Sequence, residues 1–221
     1  MGKLYIVSTP IGNLKDITFR AIETLKAVDL IFSEDTRITK KLLNHLGIKR
    51  RIQSLNEHNE VKITPKILKQ LSEGKSVALV SDAGTPLISD PGYYLVQQAR
   101  KKFIHVTPIP GCSAVIAALS VSGIATDKFY FHGFLPSSEL AQLRELEKLV
   151  QRKESLIFYE SVHRLQSTIG SMIKVFGGNR QAVVCKEITK LHESYLGENL
   201  FEIDEFIKNN PKKIRGEFTI I

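Results

Sequence analysis

The chain is nearly devoid of cysteine: Cys112 and Cys185 are its two thiols in 221 residues. Two are too few for a disulfide framework or a structural zinc site, so a reduced compartment without structural metal is expected. Nothing approaches the roughly eighteen consecutive apolar residues that a membrane span requires. The start, Met1-Gly2-Lys3-Leu4-Tyr5, lacks a secretory pattern and runs directly into strand-like sequence. A cytoplasmic chain with no membrane partner follows. Several catalytic signatures are also missing. Without G-x-G-x-x-G or G-K-[ST], neither a Rossmann fingerprint nor a P-loop is present, which disfavours a nucleotide-binding oxidoreductase. The histidines are scattered, with no H-E-x-x-H and no C-x-x-C, so no metal centre is expected and a zinc hydrolase is disfavoured. The G-x-S-x-G elbow of serine hydrolases is absent as well.

What is there reads as an ordinary globular protein, 43% hydrophobic and 24% charged, with room for one large domain or two small ones. Its formal net charge is +8. That excess suits a polyanionic partner such as RNA, and it equally serves plain solubility.

The chain is organised around Ser81-Asp82-Ala83-Gly84-Thr85-Pro86-Leu87-Ile88-Ser89-Asp90-Pro91-Gly92. The apolar run Val77 to Val80 before it reads as a buried strand. Tyr94, Leu95 and Ala99 after it recur at helical spacing. Glycine supplies positive φ and proline fixes φ, so the stretch is turn chemistry. Asp90-Pro91 reads as a helix start, Asp at the N-cap and Pro at the first helical position. A loop of small residues and carboxylates at a strand's carboxyl end is where open α/β sheets bind ligands.

In order, Lys3 to Ser8 reads as a strand, Thr18 to Ala27 as a helix and Leu30 to Phe32 as a strand. A leucine-bearing helix follows and stops at Gly47, then a strand at Ile52 to Leu55 and a helix over Lys62 to Ser72. After the central strand and loop come Ile104 to Thr107, the turn Pro108 to Ser113 and a small-residue helix from Ala114 to Ser120. This βα alternation predicts a mostly parallel sheet through about residue 120. Residues 121–127 read as the linker, giving domains over 1–120 and 121–221. The second domain opens with a strand over Lys128 to Phe134 and a helix over Glu139 to Arg152. Ser155 to Tyr159, Ala182 to Glu187, Glu193 to Leu196 and Arg215 to Ile221 complete a mixed sheet.

Four charged clusters follow strands: Glu34 to Arg37, Glu57 to Glu60, Ser81 to Asp90 and Glu160 to Arg164. If the strands run parallel, the clusters share one rim and converge. Cys112, after Gly111 at a helix start, sits where a thiolate is stabilised, or else serves as a small buried residue. Cys185 reads as core.

Thr9-Pro10-Ile11-Gly12-Asn13, Ser81 to Gly92 and Pro110-Gly111-Cys112-Ser113-Ala114 together resemble the tetrapyrrole methylase superfamily, the class III S-adenosylmethionine-dependent methyltransferases. Glu34 to Arg37, Glu57 to Glu60, Phe158 to Arg164, Lys186 to Glu193 and Arg215 to Phe218 are similar to its ribosomal RNA branch. Those enzymes 2′-O-methylate a cytidine in the decoding region of 16S ribosomal RNA. The resemblance spans essentially the whole chain. It implies two α/β domains of the tetrapyrrole methylase type with the cofactor, S-adenosylmethionine, in the cleft between them. It implies a homodimer acting on 16S ribosomal RNA or the small ribosomal subunit. Pro10, Ser81, Asp82, Ala83, Gly84, Thr85, Ser113, Ala114 and the backbone at Phe134 and Leu135 are then the cofactor contacts. Members often continue some tens of residues beyond the Arg215 to Phe218 strand, where this sequence stops; either a missing extension removes an RNA contact or this is a naturally short version.

The residues are compatible with that chemistry. A cationic sulfonium carrying an adenosine calls for carboxylates and small residues rather than a phosphate cradle, and the Asp82 to Gly84 stretch offers both. A ribose hydroxyl is a poor nucleophile, helped by a general base and by a cation facing the developing alkoxide. Glu160, His163 and Arg164 with Lys186 and Glu187 supply such groups in the second domain, and Arg37, Glu57 and His58 with Asp35 supply them in the first. The two locations are rivals. A precorrin-type methylase, sharing the cofactor loops without the Arg37 and His58 clusters, is the alternative enzyme. An RNA-binding module with a vestigial cofactor cleft is the non-enzymatic alternative.

Overall fold

The computed structural model describes residues 2–221 and divides into two compact units, one reaching Ser113 and the other running from Ala114 to Ile221. The first alternates strand and helix without exception: β1 (Leu4–Val7), α1 (Phe19–Ala27), β2 (Leu30–Ser33), α2 (Thr36–His45), β3 (Arg51–Ser54), α3 (Glu60–Ser72), β4 (Val77–Val80), α4 (Tyr93–Lys101) and β5 (Val106–Ile109). Its sheet has the order β3-β2-β4-β1-β5 and every pairing is parallel. A parallel sheet is covered on both faces, so alternate residues of one strand feed two cores. Leu30, Phe32, Val77 and Leu79 pack into one cluster with helices α3 and α4. Ile31, Ala78 and Val80 pack into the other, against Ala21 and Leu25 of α1 and Leu43 of α2.

Helix starts in this unit follow their capping chemistry. The Thr18 hydroxyl accepts from the Ala21 N–H and the Asp35 carboxylate from the Arg37 N–H. Helix α4 departs from the expected Asp90-Pro91 start: it begins at Tyr93 behind Gly92, whose φ of 128° no side chain adopts readily. Gly92 has no capping side chain, and the buried Glu60 of α3 supplies one by accepting the Leu95 N–H at 2.9 Å.

The second unit holds α5 (Ala114–Val121), β6 (Phe129–Phe134), α6 (Glu139–Glu147), β7 (Ser155–Ser161), α7 (Leu165–Phe176), β8 (Val184–Lys186), β9 (Ser194–Leu196), α8 (Leu200–Asn209) and β10 (Glu217–Ile220). Its sheet is mixed, in the order β6-β7-β10-β8-β9, with β6 parallel to β7 and the remaining pairs antiparallel. Helix α6 stops at Glu147, short of the expected Arg152, with its N-terminus capped by Ser138. Phe158, Leu165, Ile169 and Ile203 share the core under α6, α7 and α8. The opposite face is covered by α5, whose Val115, Ala118 and Leu119 pack with Ile157 and Cys185. The small-residue helix expected at the end of the first domain therefore packs within the second unit, and the division falls at Ser113 rather than Ser120. No helix among the described residues is long and apolar enough to cross a membrane.

Candidate functional site: the carboxyl rim of the parallel sheet

Because all five strands of the first sheet run the same way, their following loops share one rim, and polar bonds join them in the order of the strands. The Ser54 hydroxyl at the end of β3 donates to the Glu34 carbonyl beyond β2 at 3.4 Å. The Asp35 N–H donates to Asp82 Oδ1 at 3.0 Å, joining the loops after β2 and β4. Thr9 and Gly84 exchange both backbone bonds, at 2.9 and 3.1 Å, across the loops after β1 and β4. The Thr85 hydroxyl lies 2.9 Å from that of Ser8 and donates to the Cys112 carbonyl at 3.0 Å.

Small residues make this approach possible. A Cβ on Gly111 would stand 2.8 Å from the Ser8 Cβ. Gly84 has a φ of +81°, and a Cβ there would meet Ile11 at 3.3 Å. Between Gly84 and Gly92, Leu87 and Ser89 also hold positive φ, at 73° and 67°. Non-glycine residues in that region are uncommon and cost stability, and such strain concentrates at functional loops.

The middle of the rim is acidic in a chain that is basic overall. Burial pushes the Asp82 carboxyl above its ordinary range, only partly opposed by the Asp35 N–H. Glu34 is raised by burial and then by Asp82, Glu57 and Asp35. Asp90 is pushed up to about 6, by burial first and then by Glu34, although a hydrogen bond from Ser81 opposes the shift. Asp35 goes the other way, to about 2, because the Arg37 guanidinium grips both carboxylate oxygens at 2.6 to 3.1 Å. Crowded, partly buried carboxylates that resist ionising are ready to receive a cation, which supplies the counter-charge they lack. His58 completes this end, with Nε2 3.4 Å from the exposed Glu57 carboxylate.

The structure thus brings Arg37, Glu57, His58, Pro10, Ser81, Asp82, Ala83, Gly84 and Thr85 to one rim, with Ser113 one residue beyond Cys112. Glu34 and Asp90, the ends of two of the charged clusters read from the sequence, belong there too, as do Ser8 and the Cys112 carbonyl, whose long-range bonds no sequence motif marks. Cys112 itself is not a stabilised thiolate. It is half-buried and its thiol is pushed up, by burial and then by Asp16.

The expectation that all four clusters share a rim fails for the last. Glu160 is the penultimate residue of β7 in the other sheet, and Ala114, Phe134 and Leu135 also belong to that unit. Glu160 is 3% exposed, and both oxygens are engaged: Oε1 accepts from the Ser161 N–H at 2.8 Å, Oε2 from Thr168 at 2.6 Å and Arg164 at 3.2 Å. The same Arg164 nitrogen donates to the Leu135 and Pro136 carbonyls at 2.7 and 3.0 Å. Those carbonyls follow a bulge in β6, where the register with β7 shifts between Phe131 and Gly133. The pair is therefore a clamp on the loop after β6. Glu187 is tied to Lys190 at 2.7 Å and accepts from the Glu217 N–H at 2.9 Å. His163 is exposed and Lys186 half-buried.

A parallel sheet with a stitched, acidic, glycine-bearing rim, joined to a mixed second sheet, defines a class: the chain belongs to the tetrapyrrole methylase family, whose model, described as Tetrapyrrole (Corrin/Porphyrin) Methylases, matches residues 3–204. The solved uroporphyrin-III-C-methyltransferase of Thermus thermophilus shares the fold, with a TM-score of 0.69 at 17% identity, over 100% of this chain and 94% of that one. More particularly, the chain is similar to proteins named ribosomal RNA small subunit methyltransferase I. That of Pasteurella multocida is 46% identical over 100% of this chain and 78% of its own length. That of Halalkalibacterium halodurans is 48% identical over 100% and 75% respectively.

Proposed function

We propose that this chain transfers a methyl group from S-adenosylmethionine to small-subunit ribosomal RNA, at the 2′-hydroxyl of a cytidine in the decoding region of 16S RNA. The relatives' names support the substrate class. The observation that carries the cofactor reading is the cluster of Glu34, Asp82 and Asp90 carboxylates on the stitched rim, where the Asp35 N–H holds Asp82 at 3.0 Å, in a chain of net charge +8. When bound, the cofactor supplies an electrophilic methyl group on a positively charged sulfur.

The residues fit that group. Asp82, held by the Asp35 N–H, and its neighbours Glu34 and Asp90 face a cation with carboxylates. Gly84, Thr85, Pro10 and Ser113 offer backbone and small side chains for the remainder. In the second unit, the Glu160–Arg164 clamp holds the Leu135 and Pro136 carbonyls, and Phe134 beside them is exposed. Glu160 and Arg164 are positioning residues in this reading.

Of the two rival clusters for the ribose, the first-unit one is favoured, since His58 and Arg37 are exposed on the rim that carries Asp82 while Glu160 is walled off. With Nε2 turned to Glu57, the His58 Nδ1 is the ring atom left to take the hydroxyl proton, and Glu57 stabilises the imidazolium that forms. Arg37 presents a guanidinium face to phosphate or to the developing alkoxide.

Calorimetric titration tests the cofactor assignment. The wild type should bind S-adenosylmethionine at one site per chain, and Asp82→Ala should weaken binding at least about tenfold. An unchanged affinity in the variant removes the carboxylate cluster from the cofactor site. His58→Ala should lower kcat by about 10² or more with the KM for the cofactor unchanged. Unaltered turnover excludes it as the base.

A further inference from the structure

The opposite edge of the same sheet carries the opposite charge. In a parallel α/β layer the strand starts and the helix C-termini share the amino edge. Here that edge bears Lys49, Arg50 and Arg51 ahead of or opening β3, and Lys26 at the end of α1 ahead of β2. Next along the sheet order is Lys75 ahead of β4, then Lys3 ahead of β1. Arg100, Lys101 and Lys102, ahead of β5, close the row. All are exposed. The five strands set the row's span at about 19 Å, at roughly 4.8 Å per strand.

Cations at helix C-termini favour the macrodipole, which accounts for Lys26, Arg100 and Lys101. It does not account for Lys49, Arg51, Lys75 or Lys3, which lie beyond helix ends. Among the described residues none of these four forms an ion pair. Three carboxylates lie near this edge: Asp29 accepts from the Ser76 N–H at 2.8 Å, Glu73 faces Lys69 at 3.9 Å, and Glu23 lines the cavity beside α1, so the cations outnumber them.

Two further features on this edge suit nucleotides. Phe103 is 92% exposed immediately after Lys102, and its φ of 57° holds it in the left-handed conformation normally left to glycine. An aromatic ring displayed to solvent beside three cations is a stacking platform for an unpaired base. Between α1 and the strand starts lies a cavity of about 230 Å3 with Tyr5, Thr24, Ser76 and the Glu23 carboxylate in its wall, which suits the donor groups of a base or ribose rather than a phosphate.

We infer that the amino edge of the first sheet is a second RNA-docking face, gripping the phosphate backbone of the substrate RNA at a distance from the acidic rim. The identity of the polyanion rests on the function proposed above; the face itself rests on charge and topology. Repulsion by the acidic rim makes a remote anchor useful, because a polyanion is not held by Glu34, Asp82 and Asp90. Strands of four residues separate the two edges by about 13 Å, so an RNA segment held at one is distinct from the nucleotide presented at the other.

The test is a fourfold variant, Lys49→Gln, Arg51→Gln, Lys75→Gln and Lys102→Gln, which leaves Arg50 in its bond to the Lys26 carbonyl. Binding to 16S RNA fragments spanning the decoding region is measured across a salt series, beside thermal melting, calorimetry with S-adenosylmethionine and methyl transfer to small ribosomal subunits. The proposal expects at least tenfold weaker RNA binding, with a salt slope shallower by about 3 (roughly 0.7 to 0.9 for each phosphate no longer neutralised). Melting and cofactor affinity should stay within error of the wild type. Phe103→Ser should weaken binding with the salt slope unchanged. RNA affinity within twofold of the wild type in the fourfold variant overturns the proposal. If the wild type binds RNA through this face yet methylates no small subunit, the functional reading fails while the docking face stands. If the variant binds and methylates normally, the face fails and the functional reading stands.

Discussion

Asp90 shows how one residue reports on the site. Its carboxyl is pushed up to about 6, so the folded chain holds that proton more tightly than the unfolded chain, whose ordinary value is about 4. The folded state therefore binds more protons in this interval, and Asp90 makes stability fall as pH rises from about 4 to about 6, with no further loss from this group above that window. Asp90→Asn should flatten this part of the profile, as read by thermal melting at intervals between pH 4 and 7. An unaltered slope would mean that Asp90 is not the group titrating. The same crowding has a functional consequence. A bound cation favours the ionised carboxylates, so affinity for S-adenosylmethionine should strengthen from pH 5 to pH 7 with proton release on binding. Affinity independent of pH over that range in calorimetry would separate the cofactor from the Asp90 environment. Gly84 makes a simpler statement, with φ at +81° and Ile11 3.3 Å from where a Cβ would stand. Gly84→Ala should cost about 1 to 2 kcal/mol in urea denaturation. A neutral result would show that the loop relaxes freely.

At the scale of elements, the rim was legible because strand and turn chemistry are local. Val77 to Val80 is apolar and short, the twelve residues after it carry the glycines and prolines of a loop, and βα alternation forces parallel strands to share an edge. Long-range contacts were not legible. Nothing in Asp90-Pro91 indicates that α4 waits for Gly92 and borrows its cap from Glu60, thirty-five residues earlier. Likewise, Glu160 and Glu57 look alike beside their strands, yet one is buried under α7 and the other is open to solvent, because burial depends on which helix packs above each strand end. Helix α5 could have covered either sheet, being small and apolar on every side. The clamp gives this level its prediction. Removing Glu160 leaves the Arg164 guanidinium half-buried and facing backbone carbonyls alone, so Glu160→Ala should destabilise the chain by about 3 kcal/mol. Unchanged denaturant unfolding would show the pair to be dispensable.

Across the whole molecule, fold and chemistry separate. The parallel sheet is shared with a uroporphyrin methylase at 17% identity, so the scaffold does not select the substrate. In this chain charge is sorted across the sheet, with a cluster of carboxylates at one edge and a row of lysines and arginines at the other, under a net charge of +8. A cationic cofactor and a polyanionic substrate have opposite electrostatic needs, and the proposal assigns them to separate edges of one sheet. The most direct test is transfer of a labelled methyl group from S-adenosylmethionine to purified small ribosomal subunits lacking the modification, followed by nuclease digestion. The account predicts label recovered as 2′-O-methylcytidine from the decoding region of 16S RNA. Label on a base, on another nucleotide, or on a tetrapyrrole with none on RNA would contradict it.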